Sequence, residues 1–132
     1  MSQKVPWMDR FGTLASAACA LHCLVLSTAP AIFAALGLEL LQNELFEWGF
    51  FALAMAFASL AAIFGFRLHR NSRVLGWFLV GGLVLMAGRF GEAGGLFEGA
   101  GILAIIGGFL LVISHILNAS CTRKCQQEST PS

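Results

Sequence analysis

The chain has 132 residues, the length of a single domain, but its composition is not that of a soluble one. Hydrophobic residues make up 58% of it and charged residues only 11%, against about 25% charged residues in soluble domains. So few charged side chains cannot cover a soluble domain or keep a disordered chain in solution, and a net charge of +1 offers no basic surface for nucleic acid. The composition excludes these three classes and predicts a membrane protein.

Four apolar segments predict four membrane-spanning helices, because each is a continuous run rather than the alternating pattern of a barrel strand. The predicted spans are residues 12–36, 45–66, 74–91 and 96–117. The third is the weakest, since its uncharged part, residues 74–88, is only about 22 Å long as a helix. It reaches the width of a bilayer only if Arg89 snorkels to the membrane surface. The predicted fold is therefore all-α, a four-helix transmembrane bundle.

The basic residues predict how the bundle is oriented in the membrane. Seven of the eight Lys and Arg residues fall in segment 1–11, in the loop 67–73 or in the tail 118–132, and only Arg89 falls on the other side. Basic connectors stay in the cytoplasm, so both termini and this loop are expected there. His69 is then part of a solvated positive face, and the short polar tail need not be ordered. We expect no removable signal peptide.

Small residues are placed where helices could pack closely. Residues 52–62 are rich in alanine, and Gly91, Gly95 and Gly99 follow one another at four-residue spacing. Such residues let helix backbones approach, so the simplest interpretation is packing within the bundle.

The sequence Cys-Ala-Leu-His-Cys at residues 19–23 places three candidate metal ligands inside the first span. At 100° per residue, the side chains of Cys19, His22 and Cys23 project into an arc of about 100° within about one helical turn. Two sulfurs and an imidazole so arranged could converge on one soft or borderline cation. The alternative is that the cysteines are small buried hydrophobic residues and His22 bonds to a neighbouring helix. We favour a metal site, because ionisable groups inside membranes are usually functional.

Cys121 and Cys125 form a second pair just after the last predicted span, with Arg123 and Lys124 between them. The cytoplasm keeps thiols reduced, so a structural disulfide is not expected there. Metal capture or redox sensing is the expected role of this pair.

Three further candidate ligands lie near the ends of the predicted spans. Glu47 and Glu98 are each about three residues inside the non-cytoplasmic ends of their spans, where a facing carboxylate pair could gather cations. The alternative is that both are interfacial groups that snorkel to water. His115, beside Ser114 near the cytoplasmic end of the last span, is either a step between the two cysteine pairs or an interfacial histidine bonded to carbonyls.

Together these features resemble the MerC family of small bacterial inner-membrane proteins associated with mercuric ion transport. The resemblance rests on an opening Met-Asp-Arg-Phe-Gly, on Cys-Ala-Leu-His-Cys, on Phe-Glu-Trp at 46–48 and on the tail cysteines, and it covers about residues 8–125. It implies a multi-pass inner-membrane protein in which Cys19 and Cys23 are the membrane thiols and Cys121 and Cys125 the cytoplasmic ones. The substrate is then a divalent metal ion, first of all mercuric ion, although two thiolates with His22 would also suit zinc.

The expected function is uptake of a heavy-metal ion by ligand exchange, from the intramembrane Cys/His cluster to the cytoplasmic cysteine pair. Expected partners are the lipid bilayer, the metal ion and a cytoplasmic metal acceptor, such as a reductase or a low-molecular-weight thiol. Either one chain or a homo-oligomer could form the path. The sequence shows no nucleotide-binding loop or hydrolytic site, so we expect neither a pump nor an enzyme, and no organic cofactor.

Two other functions fit part of the pattern. A membrane thiol–disulfide oxidoreductase also has four helices and two cysteine pairs, but its reactive pairs face the oxidising side of the membrane. A haem protein would need His22 and His115 as axial ligands, and the predicted depths of these two residues differ.

Overall fold

The computed structural model describes residues 43–128, together with residues 7, 10, 11, 13, 14, 18, 21 and 35–37. Within that part the protein is all-α, with three long helices and no strand. The helices are α1 (Glu44–His69), α2 (Ser72–Ala93) and α3 (Ala100–Glu128). The first predicted span, 12–36, lies largely outside the described residues, and Cys19, His22 and Cys23 lie outside them altogether.

The three described helices are all long and apolar enough to cross a membrane. Helices α1 and α2 include the predicted spans 45–66 and 74–91, and the candidate membrane span within α3 is Ala100–Cys125. Large apolar side chains such as Leu53, Leu83 and Phe109 are exposed on the outer surfaces of the helices, as expected of faces that contact lipid. The chain is a multi-pass membrane protein.

A tight turn at Arg70 and Asn71 joins α1 to α2. Arg70 ends α1 in a left-handed conformation, with φ 53°, and its N–H bonds to the carbonyl of Phe66 at 3.0 Å. Asn71 begins α2, because its Oδ1 accepts the backbone N–H of Arg73 at 3.0 Å. With this cap α2 has 22 residues and is about 33 Å long. The third predicted span, 74–91, whose uncharged part is the shortest, therefore lies in a helix long enough to cross a bilayer.

Helices α2 and α3 pack antiparallel and closely, through glycines. A side chain at Gly88 would collide with the backbone of Ala104, and a side chain at Gly107 would collide with the backbone of Leu85. Ala104 and Leu85 are themselves fully buried. Small residues therefore do bring these two helices together, at Gly88 and Gly107, which the sequence-based prediction did not name. Of the alanines in residues 52–62, which it did name, Ala54, Ala58 and Ala61 are buried.

The predicted packing series, Gly91, Gly95 and Gly99, is divided between the end of α2 and the loop that follows it. Gly91 lies at the end of α2, against the side chain of Ala100. Gly95 and Gly99 lie in the loop between α2 and α3, with φ 59° and 87°, angles that residues with a side chain rarely adopt. The loop takes the place of the first turn of the predicted last span, so α3 begins at Ala100 and not at residue 96.

The far end of α3 also differs from the sequence-based prediction. The helix continues unbroken to Glu128, because residues 118–128 contain no glycine or proline that would end it. Asn118 is fully buried and lies against Gly65 of α1, which ties this part of α3 to the other helices. Residues 118–128 of the predicted polar tail are therefore helical.

Candidate functional site

Helix α3 carries a row of polar side chains on the face that it buries. Ser114, His115, Asn118 and Thr122 are all 0% exposed. Asn118 is three or four residues from each of the others, which places all four on one side of the helix. Polar groups inside a membrane-spanning helix cost free energy and are usually retained for a function. We refer to the following residues as the polar cluster: His69, Asn71, Ser114, His115, Asn118, Cys121 and Thr122.

Hydrogen bonds within the polar cluster join the α1–α2 turn to α3. His69 Nε2 and Asn118 Oδ1 are 2.8 Å apart, and His69 Nδ1 accepts the backbone N–H of Asn71 at 3.0 Å. The side-chain amide of Asn71 donates to Cys121 Sγ at 3.7 Å. The prediction that His69 belongs to a solvated face is therefore wrong, because its ring is half-buried and held on both sides.

His115 lies further from the thiols on the same face of α3. Its ring meets the ring of Phe78 in α2 edge-on, with the two centroids 5.0 Å apart and the planes at 84°. The imidazole is thus packed in the protein interior between α2 and α3. Its role as a metal ligand stays a prediction.

Cys121 and Cys125 are free thiols, both half-buried, near the end of α3. Residues four apart on a helix share a face, with Cβ atoms about 5–6 Å apart. Among the described residues, no group of three or more His, Cys, Asp or Glu side chains is placed to hold a metal ion. The described residues here provide two sulfur ligands. Two sulfurs suit a soft cation that accepts two-coordinate binding better than a cation that requires four ligands.

At the opposite end of the helices, Arg89 is buried instead of reaching the membrane surface. It is 5% exposed, and its guanidinium lies 2.7 Å from the Glu47 carboxylate and 3.4 Å from the Glu92 carboxylate. The guanidinium also lies over the ring of Trp48, 4.8 Å from its centroid. The prediction that Arg89 snorkels is wrong, because α1 supplies an opposite charge and an aromatic face inside the protein.

The two carboxylates predicted to face one another lie in different environments. Glu47 is in α1, and its side chain is 25% exposed and paired with Arg89. Glu98 is exposed and lies in the loop before Ala100, so it is not inside the end of a helix. That either carboxylate gathers cations stays a prediction.

A few described residues near the N-terminus lie beside the thiol end of α3. They line one cleft together with residues of that helix; the lining residues are Arg10, Thr13, Leu14, Ile116, Ala119 and Arg123. Phe11 also stacks on Phe57 of α1, with ring centroids 6.3 Å apart. Cys19, His22 and Cys23 lie outside the described residues, so their convergence on one cation stays a prediction.

Reasoning from the sequence did not single out Asn71 or Thr122. No metal-ligand spacing marks an amide or a hydroxyl, and the contact between His69 and Asn118 joins residues 49 positions apart. The signal that could have found this face is the helical period of Ser114, Asn118 and Thr122 within an apolar segment.

Comparison with protein families gives a match over most of the chain. Residues 9–120 match the family described as MerC mercury resistance protein. The match includes the positions of Cys19, His22 and Cys23 and ends just before Cys121. No curated protein and no solved structure matches the chain at a significant level.

Proposed function

The chain belongs to the MerC mercury-resistance family, and from that premise we propose that it takes up mercuric ion across the bacterial inner membrane. The ion passes by ligand exchange from Cys19, His22 and Cys23 to Cys121 and Cys125. The chain forms a four-helix bundle with both termini in the cytoplasm. The observation that carries this proposal is the polar cluster, which extends along the buried face of α3 to Cys121.

The polar cluster supports an ion path because it extends into an otherwise apolar helix. Between Ser114 and Thr122 the helix rises about 12 Å, and four polar side chains along this length are buried: Ser114, His115, Asn118 and Thr122. A cation that leaves water needs such groups to replace part of its hydration. Arg10, Thr13 and Leu14 line a cleft with Ile116, Ala119 and Arg123, so the beginning of the first predicted span lies at the same end of α3 as the thiols.

Ligand exchange fits the donor atoms of the chain. Mercuric ion is soft and content with two sulfurs, so each cysteine pair can hold it alone. A bond from an incoming sulfur to mercury forms as an existing mercury–sulfur bond breaks, and the proton lost by the incoming thiol passes, directly or through water, to the thiolate that is released. A cytoplasmic acceptor, such as a reductase or a low-molecular-weight thiol, then takes the ion from Cys121 and Cys125 in the same way.

Uptake of radiolabelled mercuric ion into intact cells tests the proposal. Cys19→Ser with Cys23→Ser should abolish uptake, because the ion loses its ligands inside the membrane. Cys121→Ser with Cys125→Ser should let the ion enter the protein but slow its transfer to thiols added to purified protein. Ser120→Ala is the matched control beside the tail pair and should transport normally, since its hydroxyl bonds back to a carbonyl of its own helix.

Two outcomes would change the assignment. Normal uptake by the Cys19→Ser and Cys23→Ser variant would show that these cysteines only pack, and would contradict the proposed path. Stoichiometric zinc in the purified protein, lost in the same variant, would replace mercury with zinc as the substrate. Zinc usually takes four ligands, so His22→Ala should then weaken binding as much as Cys23→Ser does.

A further inference from the structure

The side chain of Asn71 contacts both the start of α2 and a thiol. Its Oδ1 accepts the backbone N–H of Arg73 at 3.0 Å, and its Nδ2 lies 3.7 Å from Cys121 Sγ. A backbone N–H can only donate, so the amide oxygen faces Arg73 and the amide NH₂ faces the sulfur. The helix cap therefore determines which end of the amide meets Cys121.

A second set of contacts holds Asn71 in place. His69 Nδ1 accepts the backbone N–H of Asn71, so the neutral ring carries its proton on Nε2 and donates it to Asn118 Oδ1. The side chain of Asn118 is fully buried in the space left open by Gly65. A chain of contacts therefore begins at Asn118 in α3, passes through His69 and Asn71, and returns to α3 at Cys121, about one helical turn after Asn118.

From this geometry we infer that Asn71 is a positioning residue for metal binding, which holds the sulfur of Cys121 in place beside Cys125 for a soft divalent cation. The inference rests on the proposed function and deepens it at the tail thiols. A sulfur bound to a metal keeps lone pairs, so the amide can donate to it before and after the cation arrives. Partners that orient metal ligands in this way typically change metal affinity by about 10–100-fold.

The test uses the full-length protein carrying Cys19→Ser and Cys23→Ser, in which Cys121 and Cys125 are the remaining thiols. Cadmium ion is the probe, because it is a soft divalent cation whose thiolate complexes absorb in the ultraviolet. The dissociation constant is measured by titration of the purified protein in detergent.

Asn71→Ser is the informative variant, because serine caps a helix about as well as asparagine but is too short to reach the sulfur. Asn43→Ser is the matched control, since Asn43 caps α1 in the same way, with its Oδ1 accepting the N–H of Leu45 at 2.9 Å. Cadmium affinity should fall about tenfold in Asn71→Ser and stay unchanged in Asn43→Ser. An unchanged affinity in Asn71→Ser would overturn the inference.

A double-mutant cycle with Cys121→Ser separates positioning from folding. If Asn71 acts through the sulfur, Asn71→Ser has no further effect once Cys121 is absent. If Asn71→Ser lowers cadmium affinity by the same factor with and without Cys121, the role of Asn71 is generally structural and the inference is overturned. Cadmium affinity that survives removal of both Cys121 and Cys125 would overturn the proposed thiol site together with this inference. If cadmium binding is tight, depends on Cys121 and Cys125 and is unchanged by Asn71→Ser, the inference is overturned but the proposed thiol site is not.

Discussion

Arg89 lies in an apolar helix, yet its guanidinium is enclosed by the protein rather than by water. Glu47 and Glu92 supply opposite charges at 2.7 and 3.4 Å, and Trp48 covers one face of the group. Trp48 also donates its Nε1–H to Glu44 at 3.2 Å, which holds the indole over the guanidinium. An arginine stays charged at any physiological pH, so its burial depends on these partners.

Removing the closest partner of Arg89 should therefore lower the stability of the protein. Glu47→Gln leaves a buried guanidinium without its nearest anion, which should cost about 3 kcal/mol. Glu98→Gln is the control, because Glu98 is exposed in the loop before α3 and its loss should leave stability unchanged. The measurement is unfolding in mixed detergent micelles. Equal stability of the two variants would contradict a structural role for Glu47.

At the scale of elements, the closest packing among the three described helices is between α2 and α3. The two helices approach so closely that their backbones touch at Gly88 and Gly107, while Leu85 and Ala104 fill the buried seam. In a membrane the lipid is as apolar as the protein interior, so close van der Waals contact is a main source of helix association. The loop glycines at 95 and 99 turn the chain so that the two helices can pair.

One methyl group at this seam should separate the helices. Gly88→Ala places a Cβ against the backbone of Ala104, which cannot move without moving α3, and should cost about 1–3 kcal/mol. Gly76→Ala in the same helix is the matched control, since a Cβ there meets nothing within 4 Å and alanine favours a helix. Unfolding in mixed micelles compares the two. Similar stability of both variants would exclude a close seam at Gly88.

At the scale of the whole molecule, the described helices place different chemistry at their two ends. The thiols, the polar cluster and the basic α1–α2 turn lie at one end, with Arg10 beside them. The buried Arg89 and its carboxylates lie at the other end. Because basic connectors stay in the cytoplasm, we propose that the thiol end faces inward.

Labelling in intact cells tests this orientation. A membrane-impermeant thiol reagent should not label Cys125 until the cells are permeabilised, because the thiol end lies in the cytoplasm. A cysteine introduced as Glu98→Cys, in the exposed loop between α2 and α3, should be labelled from outside without permeabilisation. Ready labelling of Cys125 in intact cells would reverse both the orientation and the direction of transport.

The amino-acid sequence by itself determined the membrane class, the helical fold and the family, because hydropathy, charge and a short cysteine motif are local patterns. Only the tertiary structure decided the partners of the polar residues, such as Arg89 with Glu47 and His69 with Asn118. The physical reason is that these helices are apolar all round, so their patterns do not mark the face that a neighbouring helix will cover. Whether a charged or polar side chain reaches the surface or is enclosed depends on that neighbour, which the packing of glycines such as Gly65 and Gly88 brings into place.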